Sequence, residues 1–231
     1  MAPDLRHLDV GDRRIAYRFR AGAEPTLLFL PGYASDMEGT KALALDAFAE
    51  RRGLAIVRFD YSGTGSSDGS FEEGTLTAWL EETLAVADGL TQGPLVVVGS
   101  SMGGWIALHL ALLRPERVRA VVGIAAAPDF TEWGFAGRDA AEQAGIASAF
   151  WESGQRLRVL GGEIGVDCPV RLVHGERDAD VPLDIAFRTM RALGSGDVQL
   201  NVIKGGGHRL SELHEIDAIL RTVAALLEPA P

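Results

Sequence analysis

The fold of this chain is decided by a stretch near its middle, Pro94-Leu95-Val96-Val97-Val98-Gly99-Ser100-Ser101-Met102-Gly103-Gly104. Its first half is a continuous apolar run, which is typical of a strand buried on both faces of a sheet. Its second half matches the pattern G-x-S-x-G and leads into an apolar helix predicted over residues 102–113. The glycines permit a sharp strand-to-helix turn, which lifts the serine oxygen above the sheet at the positive end of a helix. This spacing predicts Ser101, rather than its neighbour Ser100, as a nucleophile.

Strands and helices alternate on both sides of this turn. A hairpin around Gly11-Asp12 supplies two antiparallel strands at the start of the chain. The further predicted strands are 26–30, 54–59, 118–124, 170–173 and 198–203, and the further helices are 40–52, 76–90, 181–193 and 211–227. Because most of these strands are continuous apolar runs, we expect an α/β fold with an eight-stranded, mostly parallel sheet and helices on both faces. Residues 1–231 are predicted to form a single domain.

One segment, residues 129–166, is long for a connection between two strands. It carries Trp133, Phe135, Phe150 and Trp151 among polar residues and glycines. We expect it to form a small helical cap over the ends of the strands. An ordinary crossover helix with a long loop is the alternative.

A serine becomes a nucleophile only when a base accepts its proton. His208 follows three glycines between the last strand and the last helix, and it is the predicted base. The acid that orients the imidazole is predicted to be Asp178, in the loop after strand 170–173. Asp180 is the near alternative, and Asp129, after the preceding strand, is the distant one.

Acyl transfer also needs hydrogen-bond donors for the developing oxyanion. We expect the backbone N–H groups of Met102, directly after the nucleophile, and of Tyr33, after Leu30-Pro31-Gly32, to supply them. Trp105, Trp133 and Trp151 are expected to line an acyl pocket, with packing in the core or the cap as the equal alternative.

The composition narrows the classes of partner. A net charge of −10 argues against a nucleic-acid partner and gives no reason to expect docking on an anionic membrane. No apolar run approaches the roughly 18 residues of a transmembrane helix.

The one cysteine, Cys168, excludes an intramolecular disulfide and is expected to be a buried packing residue. Since no signal peptide is visible, a cytoplasmic protein is expected. The pattern requires no metal and no cofactor, and it does not determine the oligomeric state.

The whole chain resembles the α/β-hydrolase superfamily. More narrowly, it is similar to the mitochondrial palmitoyl-protein thioesterases that also act as mycophenolic acid acyl-glucuronide esterases. The matching stretches are Leu30-Pro31-Gly32-Tyr33, Gly39-Thr40-Lys41-Ala42, 58–63, 65–69, Gly99-Ser100-Ser101, Gly103-Gly104-Trp105, Cys168-Pro169, His174-Gly175, Asp178, Val181-Pro182 and His208-Arg209. The resemblance implies esterase and thioesterase activity on acyl substrates and the same Ser-His-Asp triad. No transit segment is visible, so the mitochondrial address is not expected here, and residues 129–166 do not obviously match.

The sequence therefore predicts a cofactor-free serine hydrolase that cleaves carboxylic esters or thioesters through an acyl-enzyme. Its expected substrate is a small-molecule ester or acyl thioester, or an acylated protein. A C–C bond hydrolase, a cofactor-free perhydrolase and a slow-turnover ligand-binding receptor are the alternatives, because this fold and triad serve all of them.

Overall fold

The computed structural model describes residues 3–227. Its strands are β1 (Leu5–Val10), β2 (Arg13–Arg20), β3 (Ala23–Leu30), β4 (Leu54–Phe59), β5 (Leu95–Ser100), β6 (Val118–Ile124), β7 (Val170–Gly175) and β8 (Val198–Ile203). Its helices are α1 (Thr40–Arg52), α2 (Leu76–Leu90), α3 (Met102–Leu113), α4 (Phe130–Trp133), α5 (Arg138–Gln143), α6 (Ser148–Arg156), α7 (Leu183–Ala192) and α8 (Leu213–Leu227), with one 3₁₀ turn at Phe71–Glu73.

The eight strands form one sheet in the order β1-β2-β4-β3-β5-β6-β7-β8. The pairs β1–β2 and β2–β4 are antiparallel and all other pairs are parallel, which confirms the predicted mostly parallel sheet. Strands β3 and β5 are neighbours in the sheet. From β3 the chain adds β4 on one side, and from β5 it adds β6 on the opposite side. A crevice forms at such a reversal, outside the carboxyl ends of the strands. The fold thus places a cleft between the ends of β3 and β5.

Helices cover both faces of the sheet because successive side chains of a buried strand point to opposite faces. Leu28 and Leu30 of β3 pack in a core with α2 and α3, whereas Leu27 and Phe29 pack in a second core with α1 and α8. Helix α3 contacts β5 and β6 on one side and α2 on the other. This central packing fixes the start of α3, where the predicted nucleophile lies.

The segment between β6 and β7 carries three short helices, α4 to α6. Its return loop is tied to the rest of the fold through the carbonyl of Leu157, which accepts hydrogen bonds from Trp105 Nε1 at 2.9 Å and from His109 Nε2 at 2.8 Å. Helix α6 also contacts α2 and α4. The segment is thus a packed helical layer on the α2–α3 side of the sheet.

Cys168, which we expected to be buried, is only partly buried and packs at the edge of the core; burial still raises the pKa of its thiol to about 11. Across residues 3–227, none of the helices has the length and apolar character needed to cross a membrane.

Candidate active site

The turn between β5 and α3 holds Ser101 in a backbone conformation that side-chain-bearing residues rarely adopt. Its φ is 53° and its ψ is −118°. A Cβ on Gly99 would lie 2.2 Å from the carbonyl oxygen of Gly103, and a Cβ on Gly103 would lie 2.2 Å from that of Leu30. Only glycine fits at either position, so the spacing that predicted the turn has a direct steric cause. The Ser101 N–H donates to Ile124 O at 2.9 Å, which anchors the turn to β6.

Three side chains from separate loops meet at this turn in a continuous hydrogen-bond relay. Ser101 Oγ lies 3.1 Å from His208 Nε2, and His208 Nδ1 lies 2.9 Å from Asp178 Oδ2. With the imidazole proton on Nδ1, His208 donates to the carboxylate and accepts from the serine hydroxyl. The structure thus brings the three predicted triad residues together in the order that the activation of a serine requires.

Asp178 is held by backbone donors as well as by the histidine. Its Oδ1 accepts hydrogen bonds from the N–H groups of Asp180 at 2.9 Å and Val181 at 2.8 Å. Burial acts to raise the pKa of this carboxyl, but the bonds from His208 and from the two N–H groups outweigh it and hold the pKa below its usual range. His174, fully buried behind it, donates instead to Val181 O at 2.9 Å. The carboxylate is therefore fixed and charged.

The loops that carry Asp178 and His208 are joined to each other. Arg177 N–H donates to Gly206 O at 2.8 Å, and Gly205 N–H donates to Glu176 Oε2 at 2.9 Å. A Cβ on Gly175 would lie 2.4 Å from Gly206 O. This close backbone contact at the ends of β7 and β8 sets the distance between the acid and the imidazole.

Within residues 3–227, neither of the two alternative acids makes a hydrogen bond to the imidazole through its carboxylate. Asp180 is exposed and meets Asp178 only through its backbone N–H. Asp129 is buried, but its two oxygens accept from the N–H groups of Val159 at 2.8 Å and Leu160 at 2.7 Å. The carboxylate of Asp129 is therefore engaged by residues 159 and 160, whereas that of Asp180 lies near the imidazole but, within residues 3–227, makes no hydrogen bond to it.

The expected oxyanion donors lie on the two segments that flank Ser101. Met102 is the first residue of α3, so its N–H has no acceptor within the helix. The loop after β3 packs against this turn, since a Cβ on Gly32 would lie 3.3 Å from Ser101 Cβ. Among the backbone hydrogen bonds of residues 3–227, neither the Met102 nor the Tyr33 N–H is a donor. The two donors remain a prediction that this geometry favours.

A cavity of about 460 Å³ opens beside Ser101 and His208. Residues 32–36 and the start of α1, residues 39–42, form much of its wall, with Arg209 at its edge. Lys41 and Arg209 were not among the predicted site residues. The sequence does carry a signal for them: Lys41 is one of only two lysines in the chain, and Arg209 directly follows the predicted base.

The three tryptophans lie away from this cavity. Trp105 is fully buried and donates to Leu157 O, whereas Trp133 Nε1 donates to Pro128 O at 2.7 Å. Trp151 packs against the core through α6. Their contact with substrate stays a prediction, since the indole N–H groups of Trp105 and Trp133 donate to carbonyl groups of the protein itself.

One group of side chains has the spacing of metal ligands. Asp178, Asp180 and His208 offer ligand atoms within 4.8 Å of one another. However, both oxygens of Asp178 and the Nδ1 of His208 already take part in hydrogen bonds. The arrangement fits a triad better than a metal centre.

The fold and the site together define a class of protein. The family model of the alpha/beta hydrolase fold matches residues 25–160, and the chain belongs to this family. It is an enzyme, a hydrolase.

Particular relatives narrow the class. The chain is 37% identical, over an alignment of 246 positions, to the human palmitoyl-protein thioesterase ABHD10, mitochondrial, with 98% of this chain and 78% of the relative covered. Its structure matches that of alpha/beta hydrolase domain-containing protein 10 from mouse with a TM-score of 0.91 at 34% identity, covering 97% of this chain and 98% of the other. A putative hydrolase from Agrobacterium vitis S4 matches with a TM-score of 0.90 at 38% identity, covering 97% and 99%.

The expectation of a cytoplasmic protein is wrong on these comparisons. The human relative and four further mammalian ones, 35–37% identical to this chain, are all named as mitochondrial. The error arose because the compartment was inferred from the absence of an apolar signal segment. Such an absence is compatible with more than one compartment, since not every targeting segment is apolar.

Proposed function

We propose that this hydrolase cleaves carboxylic esters or thioesters through an acyl-enzyme formed on Ser101. The observation that carries the proposal is the relay from Ser101 Oγ through His208 to Asp178, with distances of 3.1 and 2.9 Å. A serine with a base at 3.1 Å, oriented by a third group, is the arrangement that activates an oxygen nucleophile. The assigned roles are nucleophile for Ser101, base for His208 and orienting acid for Asp178.

In the first step, His208 Nε2 takes the proton of Ser101 while its Oγ attacks the acyl carbon. The carbonyl oxygen becomes an oxyanion, and the N–H groups of Tyr33 and Met102 hold it. Donors that are fixed before the reaction begins cost no reorganisation when the charge develops. Asp178, with a pKa below its usual range, stays ionised beside the imidazolium that forms.

In the second step, the bond between the acyl carbon and the leaving group breaks. His208 gives its proton to the departing atom, which is the oxygen of an alcohol or the sulfur of a thiol. A water then attacks the acyl carbon while His208 accepts its proton, and His208 passes that proton to Ser101 Oγ as the bond between Oγ and the acyl carbon breaks and the acid leaves. Every proton is carried by His208, so the cycle needs no metal and no cofactor.

The acyl group of the substrate is proposed to bind on the side of the site where a cluster of aromatic rings lies. The ring of Tyr33 lies with its centroid 5.0 Å from that of Phe71 and 4.9 Å from that of Phe150. Since residues 129–166 supply Phe130 and Phe150 to this group, we propose that the segment acts as the cap over the acyl group. Acyl thioesters, including those of acylated proteins, are the proposed natural class, because the mammalian relatives are named palmitoyl-protein thioesterases.

The test pairs Ser101→Ala with Ser100→Ala, two adjacent serines of which one faces the imidazole. A fluorophosphonate probe should label the wild type and Ser100→Ala and fail to label Ser101→Ala. Turnover of nitrophenyl acetate should fall at least about a thousandfold in Ser101→Ala only. Circular dichroism of both variants shows that the fold is intact.

The same experiment distinguishes the other function classes. A burst of nitrophenol followed by steady turnover supports an acyl-enzyme that water resolves. A burst without turnover would instead indicate a ligand-binding receptor that retains a reactive serine. Labelling of Ser101 without any ester or thioester cleavage would favour C–C bond hydrolysis or perhydrolysis and would overturn the proposal.

A further inference from the structure

A second buried histidine lies directly behind the carboxylate of Asp178. His174 is the penultimate residue of β7, and its side chain is 1% exposed. Its Nε2 lies 2.9 Å from Val181 O and 3.5 Å from Asp178 Oδ2. Because a carbonyl oxygen can only accept a hydrogen bond, Nε2 carries a proton and donates it to Val181. The proposed reaction gives this imidazole no role.

The hydrogen bond from His174 helps to close the turn that carries Asp178. The N–H of Val181 donates to Asp178 Oδ1 at 2.8 Å, and the carbonyl of Val181 accepts from His174. The N–H of Asp178 donates to the carbonyl of Gly175, the residue after His174, at 3.2 Å. The two backbone groups of Val181 are therefore tied, one to the carboxylate and the other to the end of β7.

The two oxygens of Asp178 are held in different ways. Oδ1 accepts from two backbone N–H groups, whereas Oδ2 faces His208 Nδ1 at 2.9 Å and His174 Nε2 at 3.5 Å. The Nε2–H of His174 points its positive end into a buried region, where the attraction between a dipole and a carboxylate is stronger than in water. A rotation of the carboxylate would move Oδ2 away from both imidazoles.

We propose that His174 is a positioning residue of this active site, which holds Asp178 Oδ2 toward His208. It acts through the carbonyl of Val181 and through the dipole of its own Nε2–H. The inference rests on the proposed acyl hydrolase function and adds to it a side chain that does not meet the substrate. Within residues 3–227, His174 is not among the residues that line the cavity beside Ser101. Its effect therefore falls on kcat rather than on KM.

The experiment replaces His174 with side chains that lose or keep the donor. His174→Phe retains a buried ring without the N–H, and the amide of His174→Asn is too short to reach the carbonyl of Val181. His174→Gln places an amide nitrogen where Nε2 stood. Hydrolysis of a neutral nitrophenyl ester should show kcat lowered about 10- to 100-fold in His174→Phe and His174→Asn, because a misplaced orienting group costs activity on this scale. KM should be nearly unchanged, and His174→Gln should recover most of the loss.

The matched control is His109→Phe. His109 lies on α3 and donates through Nε2 to Leu157 O at 2.8 Å, and over residues 3–227 it makes no hydrogen bond to the triad. The same change at this position also removes one hydrogen bond from an imidazole to a backbone carbonyl. It should lower the free energy of unfolding in urea without lowering kcat per folded molecule. Urea unfolding of the His174 variants shows which of them are folded.

A double variant tests whether His174 acts through the carboxylate. Once Asp178→Asn has removed the carboxylate, His174 has nothing to orient. Adding His174→Phe to Asp178→Asn should therefore change kcat by less than about threefold, since coupled residues are not additive. His174→Asn takes the place of His174→Phe if the latter does not fold.

A proton NMR spectrum gives a readout that does not depend on turnover. The proton between His208 Nδ1 and Asp178 should give a low-field signal, assigned by its loss in His208→Gln. We expect this signal to shift or broaden in His174→Phe and to stay unchanged in His109→Phe.

The outcomes separate the two proposals. If His174→Phe and His174→Asn keep wild-type kcat, or lower it equally with and without Asp178→Asn, the positioning role is refuted and the hydrolase proposal stands. The same holds if His109→Phe loses as much kcat, since the loss of any buried imidazole bond then explains the effect. If Asp178→Asn itself keeps wild-type kcat, the proposed triad is overturned and the positioning role with it.

Discussion

The loops after β6 and β7 each carry a buried aspartate, and the two differ in what the carboxylate meets. Asp129 follows β6 and accepts from the N–H groups of Val159 and Leu160, thirty residues further along the chain. Asp178 follows β7 and accepts from His208. Burial raises the pKa of Asp129, whereas hydrogen bonds to His208 and the backbone hold that of Asp178 below its usual range. One carboxylate anchors a segment, and the other faces an imidazole.

A position just after the end of a strand does not by itself specify the role of an aspartate. Both aspartates follow parallel strands at the edge of the sheet where the cleft lies. The role of each aspartate depends on which group its carboxylate meets. The loop with His208 is joined to the loop after β7 by a hydrogen bond from Arg177 N–H to Gly206 O. Within residues 3–227, no backbone hydrogen bond joins the loop after β6 to the loop that carries His208. The predictions below test this division of roles.

The largest effect is expected for Asp178→Asn. An asparagine amide that donates to His208 Nδ1 leaves the proton on Nε2, which then cannot accept from Ser101. We expect kcat to fall by about 10³–10⁴-fold with little change in the free energy of unfolding. Steady-state kinetics on a neutral nitrophenyl ester measures it.

The matched control for that change is Asp180→Asn. Because Asp180 contributes its backbone N–H rather than its exposed side chain, the variant should keep kcat within a few-fold of the wild type. A greater loss in Asp180→Asn than in Asp178→Asn would move the catalytic acid two residues along the loop.

The sequence predicted the parts of this site that depend on local spacing. The turn at Ser101 needs glycines because Cβ atoms at positions 99 and 103 would clash with backbone oxygens. The glycine spacing alone therefore located the turn. The central strands were predicted because they are apolar on both faces, whereas the first two were predicted from the turn at Gly11-Asp12. The proposed triad residues each sit just past a strand end, which is why the order along the chain indicated them.

Other features depend on contacts between distant residues, and no local pattern encodes them. The anchoring of Val159 by Asp129 joins residues thirty positions apart, and the contact of Lys41 with Arg209 O joins residues 168 positions apart. Trp105 was expected either to line a pocket or to pack in the core, and its N–H donates to Leu157 O, a contact between residues 52 positions apart.

A smaller effect, on stability rather than catalysis, is expected for Asp129→Ala. The change leaves the N–H groups of Val159 and Leu160 without their acceptors in a partly buried region. Leaving buried donors unsatisfied costs about 1–3 kcal/mol, so the free energy of unfolding in urea should fall by this amount. Asp129→Asn, which keeps one acceptor oxygen, should lose less. A loss of kcat per folded molecule as large as that of Asp178→Asn would show that Asp129 is catalytic.

The smallest effect concerns the pH dependence of stability, where the two aspartates should behave oppositely. A carboxyl whose pKa is raised on folding stabilises the protein below its unfolded pKa of about 3.9, and that contribution is lost as the pH rises through the folded value. Asp129 is such a group, because burial outweighs the lowering effects of Leu160, Val159, His109 and Arg158. The stability of the wild type relative to Asp129→Asn should therefore decline as the pH rises from about 4.

Asp178 supplies the internal reference for that measurement. Its pKa is lowered on folding, so its contribution is present above the unfolded pKa and is lost only as the pH falls below about 4. Urea unfolding of the wild type and both asparagine variants between pH 4.5 and 7.5 should give a difference for Asp129→Asn that declines as the pH rises, since folding raises the pKa of the Asp129 carboxyl. The difference for Asp178→Asn should be flat, because the carboxylate of Asp178 is ionised in both the folded and the unfolded chain throughout. Two flat differences would mean that the backbone donors from residues 159 and 160 compensate the burial of Asp129 fully, and the contrast between the two loops would then rest on their partners alone.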